Sequence, residues 1–128
     1  MSQAPEILIV DDEGALLKLM GAYVRRLGYA VTTANSMAKA WAHLNAAPGR
    51  FAVVVVDAGL AESTVDDLAL RLLASHPALR LVVNSGYPVD MSGLLKAQPG
   101  RVEFLHKPFS PDMLVGALRR MLGAEEKV

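Results

Sequence analysis

The chain has 128 residues, 52% of them hydrophobic, and its formal charges balance, with Lys+Arg 13 against Asp+Glu 13. That length and apolar content suit one compact domain over 1–128 with a core over about 6–123, and no basic run exceeds the doublets Arg25-Arg26 and Arg119-Arg120, which removes the electrostatic footprint of a nucleic-acid binder. With Cys 0 there is no disulfide framework or thiolate metal site, no apolar run is long enough to span a bilayer, and Met1-Ser2-Gln3-Ala4-Pro5-Glu6 lacks the basic start of a signal peptide, so a cytoplasmic location is expected.

Ile7-Leu8-Ile9-Val10 reads as a buried strand that ends on Asp11 and Asp12. Leu16, Leu19, Met20, Tyr23 and Leu27 then recur at helical spacing, and Gly28 stands where a helix C-terminus favours a left-handed residue. Tyr29 to Thr33 predicts a short second strand. Asn35 and Ser36 are cap candidates for a helix whose stripe is Met37, Ala40, Trp41 and Leu44, stopped by Pro48-Gly49; Trp41 is read as core. Phe51 to Val56 is apolar, largely β-branched and continuous, as in a central strand covered on both faces, and it ends on Asp57. Val65, Leu68 and Leu72 mark a third helix that stops before Pro77. Leu79 to Val83 predicts the fourth strand, Asp90 to Ala97 a short helix, and Val102 to Leu105 the fifth strand. Ser110-Pro111-Asp112 opens the last helix with a cap, a proline in the first turn and an acid near the dipole; Leu114, Ala117, Leu118 and Met121 form its buried stripe.

Alternating strands and helices with short connections imply right-handed crossovers, and hence a doubly wound α/β domain with a five-stranded parallel sheet. In such sheets ligands bind at the carboxyl ends of the strands. The turn after the first strand holds Asp11-Asp12-Glu13-Gly14, which would repel a pyrophosphate, so a dinucleotide-binding role is not expected. Asp11, Asp12 and Asp57 instead meet at one sheet edge. Two unit charges about 4 Å apart repel by roughly 4 kcal/mol at an effective dielectric near 20, so the cluster calls for a proton or a hard divalent cation. The fourth strand runs out at Asn84-Ser85-Gly86 and the fifth at His106-Lys107-Pro108-Phe109, which adds a hydroxyl and an ammonium to the same edge.

With these residues in order, the chain resembles the receiver domain of two-component response regulators over nearly its whole length. Ile7 to Glu13 matches the acidic opening, Asp57 the phosphoacceptor, Ser85-Gly86 the Ser/Thr-Ala/Gly position and Lys107-Pro108-Phe109 the Lys-Pro-Phe signature. Ser85-Gly86-Tyr87 and Lys107-Pro108-Phe109-Ser110 look most like receivers attached to hybrid sensor kinases. The resemblance implies a flavodoxin-like strand order 2-1-3-4-5 and a phosphoacceptor in place of a conventional enzyme. It further implies Mg²⁺ bound by Asp12, Asp57 and the Gly59 carbonyl, with Asp11 acting through a water. Lys107 is the implied clamp, Ser85 the hydrogen-bond donor, Ser85 and Phe104 the switch pair, and the Lys107-Pro108 bond is expected to be cis. A histidine kinase or phosphotransfer protein is the implied donor, and a downstream protein would dock on the fourth helix, fifth strand and fifth helix; self-association stays open.

The chain departs from the family after the acceptor, where Ala61 and Val65 replace the common Pro and Gly, so the loop before the third helix is expected to differ in shape. Gly59 and Tyr87 occupy positions that in receivers modulate dephosphorylation, and neither readily holds an attacking water; slow turnover is expected. Asp66 and Asp67 read as dipole-facing acids of the third helix. His43, His76 and His106 have no metal-like spacing, and His106 could at most tune Lys107. Met91, Leu94 and Leu95 are read as packing. Two other classes stay open: a receiver-shaped module working without phosphate, and a Mg²⁺-dependent phosphohydrolase. The second fits poorly, because Gly59 stands where such hydrolases carry a second acid. The chain ends at Glu125-Glu126-Lys127-Val128, just after the last helix, so no output domain is expected within it, and a stand-alone receiver and an excised piece of a larger protein both stay open.

Overall fold

The computed structural model describes residues 5–123, so both the opening residues and the Glu125 to Val128 end lie outside the described part. The strands are β1 (Glu6–Val10), β2 (Ala30–Ala34), β3 (Val53–Asp57), β4 (Arg80–Ser85) and β5 (Val102–His106), and the helices α1 (Gly14–Arg26), α2 (Met37–Ala46), α3 (Val65–Ser75), α4 (Ser92–Ala97) and α5 (Pro111–Leu122). A single 3₁₀ turn, Ala58–Leu60, follows β3. All strand pairs are parallel and the order is β2-β1-β3-β4-β5.

Residue type explains the layering. Val53 to Val56 are all buried because successive side chains of a strand face opposite ways, and both faces of this sheet are covered. Leu8, Val10, Val54, Val56, Leu81 and Val83 pack beneath α2, α3 and α4. Ile7, Ile9, Val53, Val55, Val82 and Leu105 pack beneath α1 and α5. The helices carry matching stripes, Leu17, Met20 and Val24 on α1 and Leu114, Ala117, Leu118 and Met121 on α5. Ser36, Thr64 and Ser110 cap α2, α3 and α5 by accepting from the N–H three residues on. Gly28, at φ 99°, closes α1 in the left-handed region that a side chain would strain.

Several boundaries move from the sequence expectation for physical reasons. β4 continues to Ser85 because its ladder does, Asp57 pairing with Asn84 and Ser85 with His106. α4 starts at Ser92, not Asp90, since the Asp90 carboxylate accepts from both the backbone N–H and the hydroxyl of Ser92 and so holds Asp90 outside the helix. Trp41 is half-buried, not a core residue proper: its ring lies against the α2–α4 side of the core with the Arg71 guanidinium 5.7 Å from its centroid. Met91 and Leu94 are buried, whereas Leu95 is 39% exposed. Arg119 and Arg120 close α5, and Arg120 pairs with Glu103 on β5.

Leu118 is fully buried and Leu19 is 67% exposed. Leu118→Ala is expected to lose about 2–5 kcal/mol of unfolding free energy through the cavity it leaves, and Leu19→Ala to stay within about 0.5 kcal/mol of wild type; urea unfolding followed by circular dichroism measures both.

Candidate functional site

The carboxyl edge of the sheet gathers residues far apart in sequence. Carboxylate oxygens of Asp11, Asp12 and Asp57 all lie within 4.8 Å of one another. Asp11 is fully buried, Asp57 partly covered and Asp12 exposed. One oxygen of Asp11 accepts the Glu13 N–H at 2.9 Å and the other the Lys107 ammonium at 3.1 Å, so the buried carboxylate is satisfied on both sides. Lys107 Nζ also lies 3.5 Å from Asp57 Oδ2, and the other oxygen of Asp57 accepts the Gly59 N–H at 3.0 Å. Burial pulls the Lys107 pKa down, but the hydrogen bond and attraction of Asp11, with those of Asp57, outweigh it and leave the pKa above the ordinary lysine value.

Side-chain alternation explains this meeting. Ile9, Val55, Val82 and Leu105 face α1 and α5, and two residues on from each come Asp11, Asp57, Asn84 and Lys107. The ladder carries past the formal strand ends, because Asp11 N–H bonds Ala34 O and Lys107 N–H bonds Ser85 O. The Lys107–Pro108 peptide is cis.

Ser85 is fully buried but its hydrogen bonds are local: the hydroxyl donates to the Tyr87 carbonyl at 2.7 Å and accepts the Tyr87 N–H at 3.1 Å. Phe104 is half-buried on the face that Ser85 shares, next to Val83 in register, and its ring centroid lies 6.1 Å from that of His106. His106 therefore belongs to the Phe104 face and not to the lysine's, which removes it as a tuner of Lys107. Tyr87 is 60% exposed, and its hydroxyl would be 3.5 Å from a Cβ added at Gly59, so the tyrosine reaches across the 3₁₀ turn beside Asp57. Asp66 and Asp67 sit in the first turn of α3, with Asp67 held by Ser63 and Thr64, away from the cluster. His43 is half-buried on α2, and His76 caps α3 with its ring between Ser75 Oγ and the Leu44 carbonyl. Asn84 escaped the sequence reading as anything but a strand end. Its signal there was a lone amide closing the apolar run Leu81-Val82-Val83.

A parallel α/β sheet of this order, with three acids and a lysine at its carboxyl edge, defines a receiver domain. Residues 7–119 match the family model of the response regulator receiver domain, and the chain belongs to that family. It is a receiver of two-component signalling, a class of phosphoacceptors distinct from conventional enzymes. Over 129 aligned residues it is 33% identical to the C4-dicarboxylate transport transcriptional regulatory protein DctD of Rhizobium meliloti (strain 1021), covering 99% of this chain and 26% of that one. A receiver domain protein (CheY-like) from Methanospirillum hungatei JF-1 superposes with a TM-score of 0.80 at 22% identity, over 98% of each chain. A response regulator from Burkholderia pseudomallei, solved with a phosphorylated aspartic acid, calcium ion and citrate, gives 0.74 at 25% identity over 96% of this chain and 73% of that one. The chain spans about a quarter of the length of the curated transcriptional regulators it matches first. Their similarity does not carry the hybrid-kinase likeness drawn from Ser85-Gly86-Tyr87. Among the described residues no helix is long and apolar enough to cross a membrane.

Without divalent cation, Lys107→Met leaves the buried Asp11 without its cation and is expected to cost on the order of 3 kcal/mol. Because the lysine pKa is raised on folding, its stabilisation is fully present below the unfolded value of about 10.4 and is lost as pH rises through the folded one. The difference in unfolding free energy between wild type and Lys107→Met is therefore flat from neutral pH to about pH 10 and shrinks above it. Asp12→Asn, which removes an exposed charge from the cluster, is expected to raise the melting temperature by about 3 °C in EDTA; differential scanning calorimetry tests both variants.

Proposed function

We propose that this receiver accepts its phosphoryl group on Asp57 from a phosphohistidine of a histidine kinase or phosphotransfer protein in the cytoplasm. The observation that carries the reading is Asp57 at the open sheet edge, with Lys107 Nζ 3.5 Å away and two further carboxylates within 4.8 Å. An Asp57 oxygen–phosphorus bond forms as the phosphorus–nitrogen bond of the donor breaks, and the electron pair leaves with the imidazole nitrogen. Lys107, already beside Asp57, moves its ammonium onto the phosphoryl oxygens as negative charge gathers there.

Three clustered carboxylates offer the hard oxygen donors that suit Mg²⁺. Asp12, Asp57 and the Gly59 carbonyl would hold it, with Asp11 through a water, and the bound cation would supply positive charge to the phosphoryl oxygens. The phosphorylated aspartic acid in the Burkholderia relative supports the same chemistry for Asp57. A surface depression of about 440 Å³, lined by Glu13, Leu16, Gly86, Lys107, Pro108 and Phe109, gives a donor protein access from the α1 side.

The switch runs through Ser85 and Phe104. Once the Ser85 hydroxyl turns to the phosphoryl group, the Tyr87 carbonyl loses its donor and the turn before α4 is free to change. Phe104, half-buried on that face, then repacks inward and alters the α4, β5 and α5 surface that a downstream protein reads. Phosphorylation works here by population shift, through its differential interaction with the two arrangements. Neither Gly59 nor Tyr87 offers the acidic or amide side chain that would orient a water for attack on the acyl phosphate, so its lifetime is long.

Incubation with acetyl phosphate and Mg²⁺ is expected to add one phosphoryl mass by intact mass spectrometry. Asp57→Asn should abolish the adduct and EDTA should suppress it. The adduct is expected to persist for minutes or longer; a lifetime of seconds overturns the slow-turnover reading. Absence of any adduct, together with absence of beryllium fluoride binding, would favour a module that works without phosphate.

A further inference from the structure

Asn84 closes β4 with a fully buried side chain. Its Nδ2 donates to the Val56 carbonyl at 3.3 Å, whereas its Oδ1 has no hydrogen-bond partner among the described residues. A buried carboxamide oxygen without a donor is unfavourable, and an apolar side chain of the same shape would avoid the cost. The strand around it is otherwise apolar from Leu81 to Val83. Asn84 thus needs an account that packing does not give.

Strand order supplies one. β4 lies between β3, which carries Asp57, and β5, which leads into Lys107. Neighbouring strands are about 4.8 Å apart, so the lysine can reach Asp57 and Asp11 only by crossing β4. Lys107 stands level with Gly86, which has no side chain to obstruct it, and descends to the level of Asp57, whose register partner is Asn84. Asn84 and Lys107 belong to the same face of the sheet, following Val82 and Leu105. The ammonium carries three hydrogens, and two acceptors hold it, Asp11 and Asp57. A donor with one hydrogen still to place therefore shares a face and a level of the sheet with an acceptor that has no donor.

We propose that Asn84 is a positioning residue for Lys107, its Oδ1 accepting a hydrogen of the ammonium while the lysine serves the phosphoryl group on Asp57. Once Asp57 is converted to an acyl phosphate, one of its oxygens is bonded to phosphorus and the lysine's grip on that carboxylate is exchanged for phosphoryl oxygens. The neutral carboxamide then holds the ammonium in line without competing charge. Asn84 touches neither donor nor phosphorus, and it acts through Lys107. This inference rests on Asp57 being the acceptor.

The test is a double-mutant cycle on the full chain, with the phosphorylation rate by acetyl phosphate at saturating Mg²⁺ as one readout and Mg²⁺ affinity, from the shift of the melting temperature, as the other. Asn84→Leu is expected to slow phosphorylation about tenfold with the Mg²⁺ affinity held within about twofold and the melting temperature equal or higher. In the Lys107→Met background the same substitution is expected to change the rate by less than about twofold, because the residue that Asn84 positions is gone. Asn84→Val provides a second apolar variant should Asn84→Leu fold poorly. Equal rates in wild type and both variants, or the same tenfold loss in the Lys107→Met background, overturn the role. Should wild type itself gain no phosphoryl mass while its melting temperature still responds to Mg²⁺, the acceptor reading fails and the inference falls with it.

Discussion

The constraint on which the rest depends is the meeting of three carboxylates at one sheet edge, one of them fully buried. Such a cluster is tolerable in the folded chain because a lysine from the far side of the sheet reaches it, because backbone N–H groups of Glu13 and Gly59 bind the other oxygens of Asp11 and Asp57, and because Asp12 is exposed to solvent. The site is therefore short of positive charge by construction. That shortage disposes it to take up a hard cation and, once a cation is present, to accept an anionic phosphoryl group.

The fold serves this constraint through strand periodicity. Since side chains alternate, the positions two beyond Ile9, Val55, Val82 and Leu105 emerge on one face where the apolar layer ends. Asp11, Asp57, Asn84 and Lys107 thereby form a polar row on top of an apolar wall, close enough to the core for burial to strengthen their mutual interactions. The opposite face carries Ser85, Phe104 and His106 in the equivalent row. The acid–lysine row and the residues proposed to switch thus occupy two faces of the same strand ends, linked by the short peptide segments between them. Ser85, adjacent to Asn84 in sequence, is the shortest such link.

The two residues proposed to switch, Ser85 and Phe104, make few contacts with the rest of the chain. Ser85 gives its hydroxyl to a carbonyl two residues on, and Phe104 is half-buried at the core margin, with a tilted contact to His106. Ser85, though fully buried, hydrogen-bonds only within its own turn, and Phe104 is not enclosed as Leu72 or Leu118 is. A rearrangement there breaks few contacts, which suits an equilibrium that one phosphoryl group can move.

Much of this was legible in the amino-acid order. The β-branched run ending on Asp57, the acid pair after Val10, the caps at Ser36 and Ser110 and the left-handed Gly28 each follow from local rules that need no neighbours in space. So does the association of Asp11, Asp12, Asp57 and Lys107 with strand ends, given an α/β alternation. What local order left undecided concerned contacts between strands. The length of β4 depends on its pairing with Asp57 and His106, the exposure of Trp41 on how α2 meets α3, and the side of His106 on the register of β5. The partners of Lys107 and the unpaired oxygen of Asn84 depend on strand order itself, because only a sheet that places β4 between β3 and β5 makes the lysine cross that asparagine. Sequence determined which groups reach the edge, through periodicities of two and about 3.6 residues; tertiary structure decided which of them touch, because distance across a sheet is set by strand order and not by separation along the chain.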